Sequence, residues 1–178
     1  MIIYGLSLLE KTLESSEILH LPDEVIWLLE EGLFGYLGTS SKDRIPHVTP
    51  VIFIFDGRYI WFFTSKITKK LRNIKENIRV SFLIDVRDPS NLHNNKAVLI
   101  HGTVKTISIL YAIFHLKYLL KIKRIFHQRY PKYMNAYKTE RAKISKRWRT
   151  KIFIHRILLR LTIEKFVYMK ESRPNTVE

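Results

Sequence analysis

The sequence contains no cysteine. Disulfide frameworks, thiolate zinc sites, iron–sulfur clusters and cysteine nucleophiles are therefore excluded, and this composition fits a reducing cytoplasm. Long hydrophobic runs are missing as well, because the longest apolar stretch, 107–120, is interrupted by His115 and Lys117 and is too short to span a bilayer. The first ten residues lack the basic start of a signal peptide. We expect a cytoplasmic protein that does not cross a membrane.

Signatures of metal binding and of several enzyme classes are also missing. The seven histidines are scattered, and none has a metal-ligand spacing beside carboxylates. The chain has no G-x-S-x-G nucleophile elbow, no Walker loop and no dinucleotide fingerprint. No metal site is expected, and the sequence identifies no acid–base pair as catalytic.

Acidic residues are scarce in one part of the chain only. Residues 1–106 carry 13 basic and 12 acidic side chains, whereas residues 107–178 carry 18 basic and 4 acidic ones. Almost all of the net charge of +15 therefore belongs to the C-terminal part. Because 46% of the residues are hydrophobic, the chain is too apolar for a disordered polycation. We expect a near-neutral first part followed by a basic region.

Residue patterns before position 108 predict mostly strands. A short helix is predicted to begin at Pro22, with acidic residues in its first turn, and to stop at Gly32. A second helix is predicted over 66–76, and Asp56-Gly57 is a strong hairpin signal. The predicted strands are 33–39, 47–55, 58–64, 79–86 and 97–107. Short amphipathic strands must bury one face and hide their edges, which favours a closed, mostly antiparallel barrel.

After residue 108 the apolar spacing becomes helical. One helix is predicted to end at Pro131, and a second over 135–148. Residues 158–163 then alternate between apolar and polar side chains, which is typical of a half-buried strand. Since this strand would return to the barrel, we interpret 1–178 as a single domain and 108–150 as a basic helical insertion within it.

Several short motifs follow one another in a specific order. They are LFGYLGTS at 33–40, PHVTPV at 46–51, FTS at 63–65, KKLRNI at 69–74 and RVSF at 79–82. This ordered set resembles the pyridoxamine 5'-phosphate oxidase-like FMN-binding split barrels, over roughly 22–107. The resemblance implies a mainly β (α+β) fold, a split barrel of about six antiparallel strands with flanking helices. It also implies a homodimer with FMN at the interface and oxidoreductase activity on a small-molecule substrate.

The start of the second predicted helix is a candidate phosphate site. Hydroxyls at Thr64 and Ser65 are placed to cap free N–H groups there, and a helix N-terminus attracts a phosphate. The resemblance implies that Lys69 and Lys70 bind the FMN phosphate, with the hydroxyls of Thr64 and Thr68 as partners. Without the surrounding strand order, the same residues would indicate only a well-capped, solvated helix.

Helical spacing separates the two adjacent lysines. At 100° per residue, Lys66, Lys70 and Asn73 share a stripe, whereas Lys69 points away from it. This stripe flanks the apolar face formed by Ile67, Leu71 and Ile74. A ligand between helix and barrel should therefore meet Lys70 more readily than Lys69.

The second predicted strand supplies the other half of the site. The resemblance implies that backbone groups around His47, Val48, Thr49 and Val51 line the edge of the flavin ring, where main-chain N–H groups would tune its chemistry. Pro50 has no N–H group, which fits a strand beside a cofactor rather than a central ladder strand.

The sequence departs from the pattern of the pyridoxamine phosphate oxidases themselves, and this favours a member of the wider family. Oxidases of pyridoxamine phosphate carry a glutamine near the flavin where this chain has Ala97, and their C-terminal basic residues have no evident counterpart. The wider family includes flavin reductases, deazaflavin-dependent reductases and haem-handling proteins. A deazaflavin is therefore the alternative cofactor to FMN.

The basic region supports a second hypothesis, in which the protein is a binding module rather than an enzyme. Its lysines and arginines over 117–156 are interleaved with aromatic residues, the mixture that phosphate contact and base stacking use. These aromatics are Tyr118, Tyr130, Tyr133, Tyr137 and Trp148. The alternative function is therefore a module that binds nucleic acid or an anionic surface. Two further interpretations of the basic region stay open: a solvated helical face, or a lid that collects an anionic substrate.

Overall fold

The structure is a computed structural model that describes residues 6–12, 21–91, 94–108, 116–148 and 155–171. The elements in chain order are β1 Leu6–Thr12, α1 Asp23–Glu31, β2 Gly35–Ser40, β3 Pro46–Val51, β4 Ile54–Phe55, β5 Tyr59–Ser65, α2 Lys69–Glu76, β6 Arg79–Val86, β7 Lys96–Ser108, α3 Leu116–Arg129, α4 Pro131–Ala142 and β8 Arg156–Glu171. Among these ranges, no helix is long and apolar enough to cross a membrane.

The strands form one antiparallel sheet in the order β3-β2-β6-β7-β8-β5-β4. Strand β8 is long enough for β5 to pair with its first half and β1 with its second. The two ends of the order, β3 and β4, are separated by only Ile52 and Phe53, so the sheet must curl back on itself. The predicted split barrel is confirmed. It gains two strands over the prediction, because β1 was not predicted and 47–55 divides into β3 and β4.

A cluster of buried apolar side chains fills the inside of the curled sheet. Phe53 meets Phe82 edge to face, with ring centroids 5.1 Å apart, and Phe62 stacks on the same ring. Helix α1 packs against β4, β6 and β7. Helix α2 lies against β2 and β3 and buries Leu71 and Ile74. The buried apolar residues within the two helices therefore mark their core-facing sides.

Gly102 permits a close approach of two strands. The register between β7 and β8 shifts between His101 and Gly102, as in a β-bulge. A Cβ atom on Gly102 would lie 1.9 Å from the carbonyl oxygen of Thr162. Only glycine fits here without moving the backbone, so this position permits the close contact of the two longest strands at the register shift.

The insertion helices pack on the outer face of the sheet. On β5, Ile60 and Phe62 point to the inner cluster, while Trp61 and Phe63 point outward. A second hydrophobic cluster covers this outer face and consists of Ile54, Trp61, Ile122, Phe126, Tyr130 and Leu158. Helix α3 is therefore joined to the barrel by burial of apolar surface, and the partly buried Met134 of α4 packs against the same cluster. The last strand returns to the sheet as predicted, and it lies between β5 and β7.

Two polar anchors hold the same region in place. The Arg129 guanidinium donates hydrogen bonds to the carbonyl oxygens of Leu29 and Gly32, which end helix α1. The Tyr130 hydroxyl donates to the Phe53 carbonyl oxygen at 2.5 Å and lies 3.4 Å from the Phe53 nitrogen. Phe53 stands in the break between β3 and β4, so Tyr130 satisfies backbone groups that lack a strand partner there.

Three predicted boundaries were wrong. Helix α2 begins at Lys69 rather than at residue 66, because 65–68 form a turn with Thr68 in an extended conformation. Ile67, expected on the apolar face, is consequently 79% exposed. The preceding helix ends at Arg129, just before Pro131 as predicted, but α4 begins at Pro131 rather than at residue 135, since the first helical position needs no N–H donor. Helix α4 in turn stops at Ala142. Residues 109–115, 149 and 150 of the predicted insertion lie outside the described residues.

Candidate functional site

The turn between β5 and α2 is held by two threonine hydroxyls. Thr68 donates to the carbonyl oxygen of Ser65 at 2.9 Å, and its hydroxyl lies 2.9 Å from that of Thr64. Since each hydroxyl has one proton, Thr64 is the donor to Thr68. The expected capping by Thr64 and Ser65 was wrong: both residues belong to β5, and the N-cap residue is Thr68, which makes no side-chain cap bond. The first N–H groups of α2 thus keep no side-chain cap.

Lys70 is a half-buried cation that faces β3. Its Nζ lies 3.4 Å from the hydroxyl of Thr49, and within the described ranges no carboxylate pairs with it. Burial lowers the pKa of the Lys70 ammonium, because desolvation disfavours its charge. Lys69 and Lys66 are exposed. Lys70 and Lys69 therefore occupy the opposite environments that the helical spacing predicts, but the prediction for Lys66 was wrong, because Lys66 lies in the turn before α2 and not on the Lys70 stripe.

Asn73 is buried and ties α2 to two strands. Its side-chain nitrogen donates to the Thr39 hydroxyl at 3.1 Å, and Thr39 donates to the His47 carbonyl oxygen at 3.3 Å. The Asn73 amide is therefore engaged within the protein, and it sets the distance between Lys70 and β3.

Strand β3 forms one end of the sheet. Its outer edge pairs with no strand in the described part of the chain. Val48 is 64% exposed, Val51 is buried, and His47 and Thr49 are half-buried. The backbone of β3 therefore faces outward beside the Lys70 ammonium.

These observations fit an anionic cofactor. An ammonium group that loses hydration without gaining a carboxylate is favourably compensated by a bound anion. Uncapped N–H groups at the start of α2 add donors of the same kind. The residues present could therefore hold a phosphate between α2 and β3. Across the described segments, no three His, Asp or Glu side chains converge as a metal site.

A cleft of about 1030 Å³ lies against the end of β5 and the β5–α2 turn. We call it the insertion cleft, because α4 and the residues after it form one wall. It is lined by Phe63, Thr64, Ser65, Ile67, Tyr137, Glu140, Arg141, Lys143, Ile144, Trp148, His155 and Arg156. Of the ten candidate cofactor residues, only Thr64 and Ser65 line it. The insertion cleft and the phosphate site therefore adjoin at the end of β5 but are distinct.

Sequence reasoning missed the wall that the insertion contributes. Arg156 lies directly opposite Ser65 in the β5–β8 ladder, and its guanidinium stacks over the Tyr137 ring at 4.6 Å. The strand pattern of 158–163 indicated that β8 joins the barrel. It could not give the register that brings Arg156 to Ser65, because register depends on the whole sheet.

Comparison with known proteins identifies the family. A family model described as pyridoxamine 5'-phosphate oxidase matches residues 21–118, which is more than half of the chain. The chain therefore belongs to the pyridoxamine 5'-phosphate oxidase family. The match stops before most of α3 and does not include α4 or β8.

One curated relative and two solved structures illustrate the similarity. A 5a,11a-dehydrotetracycline/5a,11a-dehydrooxytetracycline reductase of Streptomyces rimosus is 34% identical over 94 residues, covering 47% of this chain and 61% of that protein. This chain thus spans about three fifths of the length of that relative. A structure named F420 reductase is 23% identical, with a TM-score of 0.56, covering 82% of this chain and 98% of that one. A FAD-binding protein of Mesorhizobium loti is 18% identical, with a TM-score of 0.62, covering 92% and 99%. The two structures establish the fold alone.

Proposed function

We propose that the protein is a flavin-dependent oxidoreductase that binds FMN and acts on a small-molecule substrate in the cytoplasm. The cofactor-binding residues in this proposal are His47, Val48, Thr49, Val51, Thr64, Ser65, Thr68, Lys69, Lys70 and Asn73. Residues 1–178 act as a single domain in which 108–150 is a basic insertion. The observation that carries the proposal is the half-buried Lys70 ammonium, which faces β3 with no described carboxylate beside it.

Each part of the site has a separate task. Lys70 and the N–H groups at the start of α2 bind the cofactor phosphate. Thr64 and Thr68 hold the turn that presents those groups. The buried Asn73 ties α2 to β2 and so holds Lys70 beside the cofactor. FMN, when bound, supplies the hydride chemistry, so the protein needs to bind, orient and exclude water.

Outward-facing backbone on β3 suits the ring edge of a flavin. Main-chain N–H groups are rigid donors, and they favour negative charge that develops on a reduced ring. Pro46 and Pro50 interrupt the donor pattern, so β3 is a poor template for a further sheet strand. This combination supports a cofactor at the open edge of β3.

The relatives support redox chemistry with a flavin or a deazaflavin. The Streptomyces rimosus relative is named a reductase and shares 34% identity over 94 residues with this chain. The similar fold of a protein named F420 reductase supports a deazaflavin as the alternative cofactor. FMN is favoured here because the motif order of the chain resembles the FMN-binding members of the family.

A homodimer with its cofactor sites at the interface completes the proposal. Large apolar side chains are exposed around the edge of β3: Leu33, Phe34, Tyr36, Ile45 and Val48 are each more than 40% exposed. Exposed apolar side chains grouped near one strand edge are typical of protein contact sites. A second copy that covers it would also bury the cofactor, which strengthens the attraction between Lys70 and a phosphate.

Flavin binding can be measured directly. The visible absorption spectrum of the purified protein distinguishes a flavin from a deazaflavin and from haem. Titration with FMN, followed by gel filtration, should give flavin absorbance that elutes with the protein, and FMN should compete with the deazaflavin. If no flavin or deazaflavin elutes with the protein and fluorescence quenching is absent, the proposed function is wrong.

A further inference from the structure

Helix α3 exposes positive charge without any negative charge. Lys121, Lys123 and Arg124 are all exposed, and the helix contains no aspartate or glutamate. In the parts of the chain that the structure describes, no carboxylate forms an ion pair with any of these three cations. Leu120 precedes them directly and is 55% exposed. We call Leu120, Lys121, Lys123 and Arg124 together the α3 face.

The barrel fixes the direction of the α3 face. On the inner side of the helix, Ile122 and Phe126 are buried in the outer cluster on the sheet. Arg124 follows Ile122 by two positions, which is a rotation of about 200° around the helix, so Arg124 points away from the barrel. The α3 face is therefore an outward surface on a helix that is packed against the barrel.

The cations of this face do not stabilise the helix that carries them. Lys121 and Arg124 are three positions apart, so their like charges are neighbours on the helix surface and repel each other. A negatively charged partner would offset this repulsion and would be attracted to all three cations. Charge complementarity therefore indicates an anionic partner.

Leu120 indicates which kind of anionic partner fits. It lies four positions before Arg124 and is therefore its neighbour on the helix surface. An exposed apolar side chain among long cations is typical of a helix that lies in the interface of a bilayer. There the cations reach the anionic headgroups, while the apolar side chain enters the boundary with the acyl chains. The α3 face has both components in one place.

Two other partners fit this face less well. Base stacking on nucleic acid needs exposed rings, but Phe126 and Tyr130 are buried and the Tyr137 ring is covered by Arg156. A second copy that docked the same face in a symmetric contact would bring cations against cations, which costs binding energy. A bilayer with anionic headgroups meets neither objection.

We propose that the α3 face binds the surface of a lipid bilayer that contains anionic headgroups. Lys121, Lys123 and Arg124 contact the headgroups, and Leu120 enters the boundary with the acyl chains. The helix lies on the bilayer and does not cross it. This inference gives the basic insertion a role as a membrane-binding element, and it does not depend on the cofactor that the barrel binds.

The test is co-sedimentation of the full chain with lipid vesicles. The wild type should bind vesicles of phosphatidylcholine and phosphatidylserine at least about tenfold more tightly than vesicles of phosphatidylcholine alone, and added salt should weaken this binding. The double variant Lys121→Gln/Arg124→Gln should lower the affinity for the phosphatidylserine vesicles about tenfold or more. Leu120→Ser should lower it about threefold or more, because it removes the apolar contact.

Helix α2 offers a matched control for the loss of charge. Arg72 and Lys75 are exposed and also three positions apart on a helix. Arg72→Gln/Lys75→Gln therefore removes the same charge at the same spacing, and it should leave the affinity for vesicles within about twofold of the wild type. Circular dichroism melting checks that every variant is folded.

Four outcomes would overturn the inference. The wild type does not sediment with phosphatidylserine vesicles at low salt, or the two double variants weaken binding equally, so that only net charge matters. Leu120→Ser binds like the wild type, so that the face recognises phosphate without contact with the acyl chains. A DNA duplex at equal phosphate concentration removes the protein from the vesicles, so that the partner is nucleic acid.

Discussion

Lys69 and Lys70 are neighbours in sequence and carry the same charge, yet their side chains lie in different environments. Lys69 extends into solvent, where its charge is hydrated and screened. Lys70 loses part of its hydration against β3, and the nearby Thr49 hydroxyl compensates only weakly at 3.4 Å. An anion placed between α2 and β3 would interact with Lys70 in a medium of lower dielectric constant, where the attraction is stronger.

Replacing each lysine in turn separates the two environments. Lys70→Ala should weaken FMN binding about 10- to 100-fold, because it removes a charge-assisted hydrogen bond worth roughly 1.5–3 kcal/mol. Lys69→Ala should weaken it by less than about threefold. Flavin fluorescence titrations at fixed ionic strength give the dissociation constants of the two variants for comparison with the wild type. Equal losses for the two variants would contradict the orientation argument.

Single residues also show what local sequence can and cannot predict. The inward position of Lys70 follows from helical periodicity, which depends only on neighbours in the chain. Asn73 shares that stripe and was grouped with the ligand-binding residues, but its amide bonds to Thr39 of β2, which is 34 positions away. Whether a polar side chain on a stripe binds a ligand or another strand depends on tertiary packing, which periodicity does not contain.

At the scale of elements, the break between β3 and β4 is coupled to the insertion. Residues 52 and 53 leave the ladder, and the Phe53 backbone finds its partner in the Tyr130 hydroxyl, 77 positions later. Burial raises the pKa of Tyr130, so its hydroxyl keeps the proton that it donates. The continuous apolar run at 47–55 predicted one strand, because nothing within the run signals the distant tyrosine.

Removing that hydroxyl tests the coupling. Tyr130→Phe keeps the ring in the outer cluster but leaves the Phe53 carbonyl and N–H groups without it, at a cost of about 1–3 kcal/mol in the free energy of unfolding. Tyr133→Phe removes a hydroxyl from a half-exposed ring on α4 and should change the free energy of unfolding by less than about 0.5 kcal/mol. Urea denaturation measures both. Similar small changes in the two variants would mean that the Tyr130 contact does not anchor the insertion.

At the scale of the whole molecule, the excess of positive charge has several local uses. Arg129 caps helix α1, Arg156 stacks on Tyr137, and Arg160 lies over Tyr59 at 4.4 Å. Tyr130 is buried and Tyr137 is covered by Arg156, so two of the five aromatic residues behind the nucleic-acid hypothesis serve packing instead. Composition revealed the charge excess, but only the tertiary structure assigns these side chains to specific contacts.

The open edge of β3 leads to a prediction about assembly. An apolar surface beside a half-buried cation is best completed by a second copy, which would cover both the strand edge and the cofactor. The wild type should therefore sediment at twice the chain mass of 21.3 kDa. Val48→Glu places a charge on the 64% exposed side chain at this edge, and it should shift the protein to monomers. Sedimentation velocity at micromolar concentration measures the change.

The matched control carries the same substitution on the insertion. Leu120 is 55% exposed on α3, so Leu120→Glu adds an equal charge at an equally accessible apolar position away from β3. It should leave the dimer intact. Because the proposed cofactor site is shared between the copies, Val48→Glu should also lower FMN affinity, whereas Leu120→Glu should not. A monomeric wild type that binds FMN normally would show that one chain forms the complete site. If the protein still dimerises with Val48→Glu, the interface lies elsewhere on the barrel.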